Sequence, residues 1–150
     1  MWIQNVSRKD IAIGYHYDAG PNSMLIQIAD PPGEFPTPKY TFKEVHRFEF
    51  LDVEEDTEVL DEEVRCSQEQ ANELVRLLQH AMQNDMNVIV HCHAGICRSG
   101  AVAEVGVIMG FQDTDSFRVP NLLVKQRMMY ALGLVYDREQ DKSRDLWYRY

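Results

Sequence analysis

Cysteine is scarce in this 150-residue sequence, which holds only Cys66, Cys92 and Cys97. An odd and sparse set with no secretory signal does not suggest a disulfide framework, so a reducing, cytoplasmic setting is expected. Long hydrophobic runs are missing too: none approaches the ~20 residues that a membrane-spanning helix needs. The opening Met1-Trp2-Ile3-Gln4-Asn5 lacks the basic start and apolar stretch of a signal peptide. Positive charge is short, with 15 Lys and Arg against 24 Asp and Glu and a net charge of −9. Nucleic acid and anionic membrane surfaces both reward basic patches, so neither is an expected partner. What is present is 45% hydrophobic and 26% charged residues. That is the profile of one globular domain over residues 1–150, long enough to bury a core.

Hydrophobic patterning supplies the elements. Trp2–Val6 and Met24–Ala29 read as strands, and Ser7 caps a short helix running into Ile13. Four prolines between residues 31 and 38 exclude regular structure there. His46–Leu51 alternates polar and apolar as a strand does, and an acidic loop follows it. Ser67 with Gln70 forms a capping-box pattern, opening a helix with Ala71, Leu74, Leu77, Leu78 and Ala81 on one face. Asn87–His91 is a short apolar run suited to a buried central strand. A helix reaches Met109 after the next loop, and Pro120-Asn121 start a last helix running to about Leu132, with Gly133 ending it. Strands separated by helices predict an α/β fold with a central, mostly parallel sheet flanked by helices. The charged stretch from Asp137 to Tyr150 has no assignment.

The chemistry concentrates between the strand ending at His91 and the helix beginning near Arg98. A loop there turns backbone N–H groups into one concavity at a helix N-terminus, which is an anion site. Gly95 suits the backbone angles of a tight cradle. Arg98 can hold two phosphate oxygens with a planar fork that lysine lacks. Cys92 is expected at the floor, where the same amides and helix dipole favour a thiolate.

His91-Cys92-His93-Ala94-Gly95-Ile96-Cys97-Arg98-Ser99, after an apolar strand and before an apolar helix, resembles the Cys-x5-Arg-Ser signature of the protein tyrosine phosphatase superfamily. The order of elements from about residue 24 to 133 is similar to its compact, dual-specificity-like members. The resemblance implies a phosphatase-like sandwich and a cysteine-dependent hydrolysis of phosphomonoesters. Cys92 is then the nucleophile that forms a phosphocysteine. The amides of residues 93 to 98 (His93, Ala94, Gly95, Ile96, Cys97 and Arg98) and the Arg98 guanidinium bind the phosphate oxygens. Ser99 assists departure of the sulfur, and His91 positions the loop and tunes the thiolate. No metal and no cofactor take part.

The family's general acid is an aspartate on a loop after a strand, upstream of the cysteine. Asp52 follows the strand His46–Leu51 and is the chosen candidate, although its interval of 40 residues to Cys92 is long for the family. Asp56 and Asp61, at 36 and 31 residues, stay open. Cys97 stands where serine is usual; it either packs or traps an oxidised Cys92 as a disulfide. Low-molecular-weight phosphatases carry a similar second cysteine, but their N-terminal signature and downstream Asp-Pro are absent here.

Rival readings differ in class. His91, Cys92, His93 and Cys97 as zinc ligands lack the usual paired spacing and a second pair. A sulfurtransferase or arsenate reductase would also use a loop cysteine, but fits the full motif less well. A phosphate-binding module without catalysis would keep the loop and lack a working aspartate. The five loop residues include no lysine of the kind expected for phosphoinositide phosphatases, and the net charge argues against an RNA triphosphatase. A phosphorylated protein, on tyrosine or with dual specificity, or a small phosphomonoester is the expected substrate.

Overall fold

The computed structural model describes residues 1–54 and 64–141. The elements run β1 (Trp2–Ser7), α1 (Arg8–Ile13), β2 (Ser23–Ala29), β3 (Glu44–Glu49), α2 (Gln68–Gln83), β4 (Asn87–Cys92), α3 (Arg98–Met109), β5 (Gln112–Asp113) and α4 (Leu122–Ala131). The five strands form one sheet in the order β3-β2-β4-β1-β5, and all of its described pairings are parallel. The expected α/β fold is therefore present.

The pleat divides the apolar residues between two faces. Met24, Ile26 and Ile28 of β2 and Val88 and Val90 of β4 join the main core beneath the long helices. Leu25 and Ile89 turn the other way, against Ile11 of α1 and Phe42. With both faces covered, β2 is buried along its whole length, which explains its continuous apolar run. The edge strand β3 buries only Phe48 and carries Glu44, His46, Arg47 and Glu49. Charge of this kind guards an edge against pairing with another chain.

Helix α2 has the full capping box between Ser67 and Gln70. Its buried face of Ala71, Leu74, Val75, Leu77, Leu78 and Ala81 matches the sequence pattern. Helix α3 has no polar stripe because it is buried nearly all round. Small residues let it come close to the sheet: a Cβ at Gly106 would lie 2.8 Å from Ile3 Cδ1.

Three details differ from the sequence reading. β3 stops at Glu49, not Leu51, because after a last bond from Phe50 N–H to Ala29 of β2 the Leu51 N–H turns to Val64, so the chain leaves the ladder. Pro120 lies before the last helix, whose N-cap is Asn121. β5 is two residues long, too short to leave a periodic signal.

Topology decides where a site can form. The chain passes from β1 outward to β2 and β3, then returns to insert β4 between β2 and β1. The connecting helices α1 and α2 cover opposite faces. In parallel sheets such a reversal opens a crevice beyond the carboxyl ends of the strands. Here those ends are Ser7, Ala29 and Cys92.

Candidate active site

Cys92 is the last residue of β4, paired with Ser7 at the end of β1, and is buried. Beyond it the chain must turn tightly before α3 begins at Arg98. The loop carbonyls are held from outside. Arg8 N–H donates to His93 O at 3.1 Å, Val119 N–H to Ile96 O at 3.2 Å and Asn121 N–H to Cys97 O at 2.9 Å. The buried Asn5 amide donates to Gly95 O at 2.8 Å and to Phe117 O at 2.9 Å. In a trans peptide the N–H points opposite to the C=O. Outward carbonyls at 93, 95, 96 and 97 therefore turn the N–H groups of the following residues inward. Gly95 is required twice over: its φ is +75°, and a Cβ there would stand 2.3 Å from the Val6 carbonyl carbon.

Polar groups converge around Cys92. Its Sγ lies 3.1 Å from Ser99 Oγ, with both residues buried. Arg98 is buried, and its Nη1 donates to Asp30 Oδ1 at 2.6 Å and to the Phe50 carbonyl at 2.8 Å. Arg98 Nε is buried with no hydrogen-bond partner among the described residues. His93 and Ala94 are exposed at the rim, Gly95 is buried, and Ile96 and Cys97 are half-buried.

His91 departs in part from its expected role. Burial pushes its pKa down to about 4, so near neutral pH it carries no charge. Its Nδ1 lies 3.3 Å from the Cys92 carbonyl. It offers the loop a hydrogen bond but no positive charge for a thiolate. Burial, and then the nearby charges of Asp52 and Cys92, push the Cys97 thiol up to about 11. Cys66, buried in the main core, is pushed up to about 12 by burial, as an inert cysteine is.

Two aspartates flank the loop. Asp52 is exposed just past β3, and its Oδ1 accepts from Asn121 Nδ2 at 2.7 Å. Asp30, at the end of β2, was not singled out from the sequence. It lines the cavity of about 190 Å³ around Cys92, together with Arg8, Glu34, His91, His93 and Arg98. Its position after an apolar strand, at the same sheet end as Cys92, was the available signal. Asp56 and Asp61 lie outside the described residues. A larger hollow of about 680 Å³, between Gly14–Pro21 and Tyr40–Lys43, sits at the opposite end of the strands, away from Cys92.

Among the described residues, no group of three or more His, Cys, Asp or Glu side chains is arranged to hold a metal ion. No helix of the described residues is long and apolar enough to cross a membrane.

Comparison with known proteins bears on the same segment. No curated protein sequence matches this chain. Among solved structures it is similar to OH1 from the Orf virus, described as a tyrosine phosphatase with triple substrate specificity. Identity is 21%, with 72% of this chain and 55% of that one covered and a TM-score of 0.45. The chain thus spans about half the length of the viral protein. It is also similar to Tk-PTP in its active form, at 14% identity, with 95% and 88% covered and a TM-score of 0.41. Residues 54–110 match the family model "Polymorphic toxin system, DSP-PTPase phosphatase". That segment contains α2, β4, the Cys92–Arg98 loop and α3.

Proposed function

We propose that this protein is a cysteine-dependent phosphatase that hydrolyses phosphomonoesters on proteins, on tyrosine and also on serine or threonine. The observation that carries the reading is the Cys92 sulfur at the base of the loop, 3.1 Å from the Ser99 hydroxyl, with inward amides above it and Arg98 beside it. With Arg98 Nη1 held by Asp30 and the Phe50 carbonyl, its Nε and Nη2 remain to grip two oxygens of a phosphoryl group. The small cavity suits a phosphoryl group at the end of a side chain and favours no single alcohol.

In the first step the Cys92 thiolate attacks phosphorus, and the bond to the ester oxygen breaks. The loop amides and Arg98 stabilise the equatorial oxygens, and Asp52 gives its proton to the departing alcohol. In the second step Asp52 takes a proton from water as the water oxygen attacks phosphorus. Inorganic phosphate leaves, and the sulfur departs as a thiolate hydrogen-bonded by Ser99. Asp30 has a different part, because its oxygen is engaged by Arg98 and fixes the guanidinium.

The test is hydrolysis of phenyl phosphate, whose leaving group needs a proton, near pH 6 with a chelator present. Wild type should be active and Cys92→Ser inactive, with Asp52→Asn reduced by a factor on the order of 10². Wild type that binds phosphate analogues without turnover would identify an inactive phosphate-binding module instead. Near-normal rates in Asp52→Asn would move the acid to Asp56 or Asp61.

A further inference from the structure

We propose that Asn121 is a positioning residue that holds Asp52 against the phosphate loop for proton transfer. The inference rests on Asp52 being the general acid. Asn121 is fully buried, although its side chain is polar and lies 69 residues from Asp52 in sequence. All of its hydrogen-bonding groups are engaged, and they join three parts of the molecule. Its Oδ1 accepts from Val124 N–H at 3.0 Å, which caps α4. Its backbone N–H donates to the Cys97 carbonyl at 2.9 Å, which ties it to the phosphate loop. Its Nδ2 donates to Asp52 Oδ1 at 2.7 Å and to the Val53 carbonyl at 3.3 Å.

Capping alone does not explain this residue. Serine, threonine or aspartate would accept from the helix N–H equally well. Only an amide side chain adds two donors to that acceptor, and both donors here go to the segment carrying Asp52. That segment has left the sheet, since β3 ends at Glu49, and its other described ties are from Leu122 N–H and Arg138 to Glu54 and from Leu51 N–H to Val64. The carboxylate is thus fixed relative to the same loop that holds Cys92. A general acid must be aligned on the leaving oxygen, and small misplacements are costly in rate.

The experiment compares kcat/KM for p-nitrophenyl phosphate, whose phenolate departs without a proton, and phenyl phosphate, whose phenolate needs one. Asn121→Ser keeps an N-cap acceptor and removes both donors. Asn121→Asp keeps the shape and cap but sets a carboxylate against Asp52, and serves if the serine variant fails to fold. Either variant should lose about 10- to 100-fold on phenyl phosphate and only a few-fold on p-nitrophenyl phosphate. Adding Asp52→Ala to Asn121→Ser should cost no more than Asp52→Ala alone, because both changes remove one function. Equal losses on both substrates, or wild-type rates on both, would overturn the proposal if Asp52→Ala itself is leaving-group selective. If Asp52→Ala is not selective, the assignment of Asp52 as the acid fails instead.

Discussion

Burial of a single neutral imidazole gives the molecule a pH dependence of its own. His91 is 1% exposed, and its pKa falls from 6.5 to about 4, chiefly through desolvation. Between those values the unfolded chain binds a proton that the folded chain does not, so stability falls as pH drops across that window. The full loss is roughly 3 kcal/mol, reached below the folded value. Glu44, Glu73 and Asp113 also have lowered values, from ordinary values of 4.5, 4.5 and 3.8, so their contributions are lost only below that range. Denaturant unfolding should therefore show a clear decline in midpoint from pH 7 to pH 5 that is largely absent in His91→Gln. An equal decline in both proteins would show that another group is responsible. Single residues differed in how far the sequence disclosed them. Cys92, Arg98, Ser99 and Gly95 were legible because each serves a local turn of nine residues. The neutral state of His91 was not, because burial is a property of the assembled sheet.

Elements were legible where a local rule and tertiary packing agree. The Ser67–Gln70 pattern is realised as two reciprocal hydrogen bonds, Ser67 Oγ accepting from Gln70 N–H at 3.0 Å and Gln70 Oε1 accepting from Ser67 N–H at 2.9 Å. Gln70 Nε2 also donates to the Glu49 carbonyl at the end of β3. Ser67→Ala should thus lower stability by about 1 kcal/mol. The change would be read as a lower denaturant midpoint with unchanged slope. An unaltered midpoint would mean that packing alone fixes the start of α2. Where packing acts without a local rule, the reading slipped. β3 ends early because Leu51 is recruited by Val64, and β5 exists only because β1 offers it an edge.

At the scale of the whole molecule, the site is a product of strand order. Inserting β4 between β1 and β2 brings Asn5 and Arg8, Asp30, Asp52, the Cys92–Ser99 loop and Asn121 to one end of the sheet. Alternation and capping rules do not report such convergence, which is why Asp30, Asn5 and Asn121 escaped notice while the loop did not. The excess of acidic residues, −9 in net charge, leaves the cationic groups of the site local: Arg98 faces Asp30, and Arg8 bonds the Glu34 carbonyl. The central claim is that phosphate passes through the Cys92 sulfur. Acid quenching during steady-state turnover, followed by peptide mass analysis, tests it most directly. The account predicts one phosphoryl group on the peptide containing Cys92 in wild type and none in Cys92→Ala, which should also be inactive. Turnover with no phosphoryl group on Cys92, or with the group on another residue, would contradict it.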